Sequence, residues 1–303
     1  MARRFAALLI LAAIGAALAW RLSAPAPRYD PEQWRALALH ADASAGKRLF
    51  YAGGCESCHA TPGQPDPLRL GGGLALKTPF GVFYPPNISS DPVDGVGAWR
   101  DVDLANALLS GVSPAGQHEY PAFPYTSYAK MAPQDVADLI AFLRALPAVQ
   151  GRAPTHELAF PFSIRRALGL WKLLYFDHAP LAPDPRQSAQ WNLGRYLVEG
   201  PGHCGECHTP RGLLGAMDPS RHLAGAPAPD GKGKTSNLIG ALKDWSNADI
   251  VEALTSGFTP AGDVLGAGMT GVVRNLAQLP QTDREAIAAY LKSLGQGPGA
   301  AKP

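Results

Sequence analysis

Every cysteine in the 303-residue chain lies in one of two motifs of the same form. They are Cys55-Glu56-Ser57-Cys58-His59 and Cys204-Gly205-Glu206-Cys207-His208. C-x-x-C-H is the attachment signature of c-type haem. Two thiols three positions apart can add to the two vinyl groups of one porphyrin, and the histidine that follows is then held beneath the iron. A thioredoxin-like redox pair needs no histidine and seldom occurs twice. A four-thiolate zinc site would need both pairs close in space, and here they stand 149 residues apart. Two disulfides are the remaining use of four cysteines in an exported chain. The repeated motif favours two covalently bound haem c groups, with Cys55, Cys58, Cys204 and Cys207 as attachment points and His59 and His208 as iron ligands.

The surroundings of the motifs are duplicated too. Gly46 precedes Cys55 by nine positions, and Gly194 precedes Cys204 by ten. Asn87 follows His59 by 28, and Asn237 follows His208 by 29. Trp99 and Trp245 each stand 12 residues before a glycine, Gly111 and Gly257. Each half closes on a helical pattern: Val136, Leu139, Ile140 and Leu143 in one, and Ile287, Tyr290, Leu291 and Leu294 in the other. Pro133 suits a first helical turn, and Thr282-Asp283-Arg284-Glu285 reads as a capping box. No stretch alternates convincingly as a sheet would. Gly46 and Gly194 fall inside the first helix of each half, where glycine costs about 1 kcal/mol relative to alanine. A close crossing by the last helix, with Phe142 or Tyr290 against the glycine, would offset that cost. The expected fold is therefore all-α, with two tandem units at residues 40–150 and 187–296.

Composition supports a folded chain wrapped around something. It is 46% hydrophobic and 17% charged, enough to bury a core. Its 33 glycines and 29 prolines predict short elements and long loops. The formal net charge is +2. Without Arg3, Arg4 and Arg21, 24 basic residues face 25 acidic ones, which gives no electrostatic footprint for nucleic acid.

Those three arginines flank an apolar run at residues 5–20. A basic start followed by an apolar stretch directs export. Residues 1–24 are expected to act as a membrane anchor, with a removable signal peptide ending near Ala17-Leu18-Ala19 as the alternative. Both readings place the remainder outside the cytoplasm. The linker at residues 151–186 holds an amphipathic piece, and Phe160, Phe162, Leu168, Trp171 and Leu174 are expected to pack against the two units.

Further segments carry a family resemblance. They include Pro86-Asn87-Ile88-Ser89-Ser90-Asp91, Tyr120-Pro121-Ala122-Phe123-Pro124-Tyr125 and Asp244-Trp245-Ser246-Asn247-Ala248-Asp249-Ile250. With the C-x-x-C-H motifs they resemble the cytochrome c subunits of periplasmic alcohol and gluconate dehydrogenases, and more closely the two-haem cytochromes related to them. The likeness covers about residues 40–296. It implies a pair of class I cytochrome c folds carrying electrons from a periplasmic dehydrogenase to a respiratory oxidase or a soluble cytochrome. The dehydrogenase subunits carry three haems, whereas this chain has two motifs.

The distal ligands decide between a carrier and a haem enzyme, such as a di-haem peroxidase or a sulfur-compound oxidase. A carrier needs both irons closed, and methionine as distal ligand raises the potential. Only four methionines are present. Met269, 61 residues after His208, is the expected ligand of the second haem. Its counterpart, 12 residues after Gly111, is Phe123, which cannot bind iron. Met131 is the expected substitute at the first haem, with His118, Lys130 and an open site as alternatives. Its counterpart in the second half is about Leu279, so its other reading is a residue covering the start of the last helix.

Overall fold

The computed structural model describes residues 1–228, 231, 233–266 and 268–295. The last residue of the second expected unit, 296, lies outside them. The chain is mostly helical. It opens with α1 (Ala2–Leu22), an apolar helix long enough to cross a membrane, and α2 (Pro31–Leu37). Asp30 caps α2 in a capping box with Gln33, and Pro31 fills the first turn. The first half then contains α3 (Ala43–Ala52), α4 (Cys55–His59), α5 (Asp101–Ser110), α6 (Tyr125–Tyr128) and α7 (Pro133–Ala145). A linker carries α8 (Ala167–Tyr175). The second half contains α9 (Ala189–Glu199), α10 (Gly205–His208), α11 (Leu238–Ala241), α12 (Asn247–Ser256), α13 (Met269–Leu276) and α14 (Gln281–Leu294).

Each half is built on a crossing of its first and last helices, α3 with α7 and α9 with α14. The two glycines explain the approach. A Cβ on Gly46 would come 1.9 Å from the carbonyl oxygen of Asp138 and 2.9 Å from Cβ of Phe142. A Cβ on Gly194 would meet the Ala286 carbonyl oxygen at 1.9 Å and Cβ of Tyr290 at 2.9 Å. The expected crossing is present in both halves with the expected aromatic partners. Two apolar clusters grow from these crossings. One gathers Phe50, Leu109, Val136 and Ile140; the other gathers Leu197, Val198, Ile250 and Ile287. After α5 and α12 the chain turns through Gly111 and Gly257, both with positive φ.

Three features depart from the sequence reading. Short strands do form. β1 (Leu76–Thr78), β2 (Gly81–Phe83) and β3 (Glu157–Leu158) make a three-stranded antiparallel sheet, with Leu76 opposite Phe83 and Gly81 opposite Leu158. β4 (Ala226–Pro227) pairs with β5 (Lys234–Thr235). Strands of two or three residues are too short to show an alternating pattern. The capping box at Thr282 is also absent. Helix α14 starts at Gln281, one residue before Thr282, and Glu285 accepts from Gln281 at 2.8 Å; its neighbour Asp283 accepts from Arg48 of the first half, Nη2 to Oδ1 at 2.9 Å.

The third departure is in the linker. β3 and α8 tie it to the first half. Lys172 reaches inward and donates to the Ser110 and Gly111 carbonyls at 2.6 and 2.8 Å, where α5 ends. Burial pushes its amine down to about 8. With Gly169 and Lys172 turned inward, helical periodicity turns Leu174 out, and Phe160 is exposed as well. Phe162 packs edge-on against Phe80, and Trp171 donates to the Leu214 carbonyl.

Gly46→Ala tests the crossing. Alanine improves helix propensity by about 1 kcal/mol, yet its methyl would overlap a backbone carbonyl. The expected net effect is a destabilisation of roughly 1–3 kcal/mol, read as a lower thermal midpoint by circular dichroism. A variant as stable as the parent would contradict the packing argument.

Candidate functional site

Both C-x-x-C-H segments form a single helical turn, α4 after Gly54 and α10 after Cys204. The turn brings the paired thiols and the histidine together on a short rigid piece. Each histidine is oriented by one hydrogen bond. The Nδ1–H of His59 donates to the Pro86 carbonyl at 2.9 Å, and that of His208 to the Ser236 carbonyl at 2.8 Å. A carbonyl only accepts, so the proton sits on Nδ1 and the Nε2 lone pair is free. Burial lowers both histidine pKa values, which keeps the rings neutral. A neutral imidazole held through its other nitrogen is the arrangement of an iron ligand.

The acceptors explain the asparagines that recur after each motif. Asn87 donates to the Val149 and Gly151 carbonyls and accepts from the Ser89 amide. Asn237 accepts from the Gly240 amide and caps α11. In both halves the asparagine pins the loop so that the carbonyl before it meets the histidine. The acceptors are backbone atoms, and the spacing of the asparagines is their only trace in the sequence.

Burial pushes Cys55 and Cys204 up to about 12 and raises Cys58 and Cys207 as well. Among the described residues, no group of three or more His, Cys, Asp or Glu side chains is arranged to hold a metal ion. The donor set therefore fits haem c, with Cys55, Cys58 and His59 at one site and Cys204, Cys207 and His208 at the other.

The two motifs lie beside one another. Cys58 and Cys207 are within electrostatic reach, and Cys207 adds to the rise in the Cys58 pKa. Each motif is gripped by the opposite half. Glu56 accepts from Arg274 at 2.7 Å and from Asn275 at 2.8 Å, both on α13. Glu206 accepts from Thr126 at 2.8 Å and Ser127 at 3.1 Å, both on α6. His203 donates to the Gly53 carbonyl at 3.1 Å, and its ring packs edge-on to Tyr128. Glu56 and Glu206 occupy positions that the motif leaves free, so no sequence pattern singles them out.

The candidate distal residues are placed differently from one another. Met269 is half-buried and opens α13. Phe123 is half-buried and packs edge-on against Tyr125 and Tyr128. Met131 is 1% exposed, inside the first core cluster. Its Cγ is 3.7 Å from where a Cβ on Gly200 would stand. Leu279 fills the matching place in the second core. His118 is buried and donates from Nε2 to the Ser23 carbonyl. Lys130 pairs with Glu199.

Glu199 is the centre of a buried polar cluster behind α10. It takes hydrogen bonds from His222 at 2.7 Å, Tyr290 at 2.8 Å and Lys130 at 3.1 Å. Burial works to raise its pKa. The His222 bond, the Lys130 charge and the Tyr290 hydroxyl outweigh burial and bring it down to about 2.

A mostly helical chain with paired thiols and a carbonyl-held histidine in each half defines a c-type cytochrome. Comparison with known proteins agrees. Residues 43–147 match the family model "Cytochrome c". A di-haem c-type cytochrome of Cereibacter sphaeroides is 51% identical over 95% of this chain and 96% of its own length. A nicotinate dehydrogenase subunit from Pseudomonas putida is 38% identical over 96% of this chain, which spans 24% of that subunit. The cytochrome c subunit of the quinone alcohol dehydrogenase from Gluconobacter oxydans is 36% identical over 91% of this chain and 60% of its own length. The chain belongs to the di-haem c-type cytochromes, and its function is electron transfer.

Acid stability tests the Glu199 cluster. A carboxylate held near 2 when folded and near 4.3 when unfolded stabilises the fold above about pH 4.5. That contribution, on the order of 3 kcal/mol, is lost as pH falls from about 4.5 towards 2. Glu199→Gln should lower the thermal midpoint at pH 7 and flatten its decline between pH 5 and pH 3. An unchanged acid profile would contradict the assignment.

Proposed function

We propose that residues 40–150 and 187–296 are two class I cytochrome c domains, each binding one haem c, joined by the linker at residues 151–186. Cys55, Cys58, Cys204 and Cys207 would hold the two groups, and His59 and His208 would bind their irons. Haem c so held supplies a one-electron ferric–ferrous couple. The observation that carries this reading is the matched pair of histidine–carbonyl bonds, His59 to Pro86 and His208 to Ser236. The grip of each half on the other's motif supports direct exchange between the two sites. Arg274 and Asn275 would fix the first motif against the second half, and Thr126 and Ser127 the second motif against the first.

The electron donor is proposed to be a periplasmic dehydrogenase, and the acceptor a respiratory oxidase or a soluble cytochrome. Relatives that are dehydrogenase cytochrome subunits support the donor. Residues 1–24 would hold the protein to the cytoplasmic membrane, consistent with the apolar helix α1.

The distal sides of the two sites differ in this reading. Met269 is the proposed sixth ligand of the second haem. At the first, Phe123 takes the equivalent slot in sequence, and Met131 sits in a core position that Leu279 fills in the other half. That placement favours a first haem without methionine. It also supports the second reading, in which the first haem is an open catalytic site of a haem enzyme.

Two measurements test these assignments. Intact mass of the exported protein should show two haem additions and no free thiol; a single addition would refute the two-haem reading. The ferric protein should show one sulfur-to-iron band in the near infrared. Met269→Ala should abolish that band and Met131→Leu should leave it in place. Two bands, one of them lost in Met131→Leu, would instead identify Met131 as the first distal ligand.

A further inference from the structure

Helix α8 presents a purely apolar face to solvent. Leu170, Leu173 and Leu174 all point outward, with Leu174 71% exposed. The one cation of the helix, Lys172, is turned inward to the end of α5. Phe160, before the helix in sequence, and Leu213, next to the residue that Trp171 bonds, are exposed as well, at 81% and 97%. Trp171 ties Leu213's loop to the helix by donating to the Leu214 carbonyl at 2.9 Å. Large apolar side chains left this exposed on one short helix and its neighbourhood mark a surface that meets something apolar.

The position of α8 indicates what that is. Its inner side is fastened to the end of α1. A Cβ on Gly169 would fall 2.3 Å from the Ser23 carbonyl oxygen, so the two backbones touch. Arg166 donates from Nε to the Ser23 hydroxyl at 3.0 Å, and its guanidinium lies 4.4 Å from the centre of the Trp20 ring. His118 donates to the Ser23 carbonyl at 2.9 Å. The exit of α1 is therefore fixed against α8, which is about 14 Å long. Trp20, Arg21 and Arg166 gather at that exit, and tryptophan with arginine is the residue pairing of a headgroup layer. Where α1 leaves a bilayer, the leucines of α8 are carried to the same boundary.

We propose that the exposed leucine face of α8, with Phe160 and Leu213, lies in the lipid interface beside the exit of α1. The inference rests on the reading of α1 as a bilayer helix. It adds a second attachment that fixes the tilt of the haem-bearing halves relative to the membrane. The leucines that α8 exposes carry no charge among them, as an acyl-chain boundary requires.

The test uses the full haem-loaded chain in vesicles of phosphatidylethanolamine and phosphatidylglycerol. A trace phospholipid carries a photoactivatable diazirine on its acyl chain. After illumination, labelled peptides are located by mass spectrometry. Labelling of both the α1 and the α8 peptides is the expected result. Leu173→Glu with Leu174→Glu should cut α8 labelling at least tenfold relative to α1, with the visible haem spectrum unchanged. Labelled α1 with unlabelled α8 would overturn the proposal and leave the anchor reading intact. No labelling of either would overturn both. A shift from dimeric to monomeric mass in the double variant, with α8 unlabelled in the parent, would assign the face to a second copy and overturn the lipid assignment.

Discussion

The contact between a glycine and a backbone carbonyl, Gly46 at Asp138 and Gly194 at Ala286, sets the geometry of each half. It draws the first and last helices to a separation that no side chain would allow. Helix α4 begins three residues after α3 ends, and α10 follows α9 closely. The crossing thus fixes where each thiol–histidine segment starts. The apolar clusters, the loop asparagines and the histidine–carbonyl bonds are arranged around a frame already determined by two missing methyl groups.

A second level of organisation joins the halves. Glu56 is held by α13 and Glu206 by α6, and these helices follow the distal loops of their own halves. Each motif therefore has one wall from its own half and one from its neighbour. Arg48 with Asp283, and Lys130 with Glu199, add two ion pairs across the same boundary. Charge-assisted bonds shielded from water are worth more than exposed ones, and these are half-buried or better on the carboxylate side.

Much of this is legible in the sequence, for identifiable reasons. The C-x-x-C-H motifs are readable because thioether attachment demands a fixed spacing. The helix crossings are readable because glycine inside a helix is costly and must have a packing cause. The capping box at Thr282 misleads because α14 already starts at Gln281, which leaves Thr282 inside the helix and takes up the Glu285 carboxylate itself. Leu174 and Phe160, expected inside, are exposed. Composition shows that a helix is amphipathic or apolar, but only the inward anchoring of Gly169 and Lys172 decides which side meets the protein. Glu56 and Glu206 are invisible because a motif's free positions carry no pattern, and their partners in the opposite half lie at least 79 residues distant.

The reciprocal grip on the motifs has an evolutionary consequence. A half that supplies one wall of its neighbour's motif cannot be exchanged, duplicated or lost by itself without removing that wall. The unit available to gene fusion and recombination is the pair, linker included. One alignment spans both halves and the linker. The match to the nicotinate dehydrogenase subunit runs over 293 residues as one block, although that subunit is about four times as long as this chain.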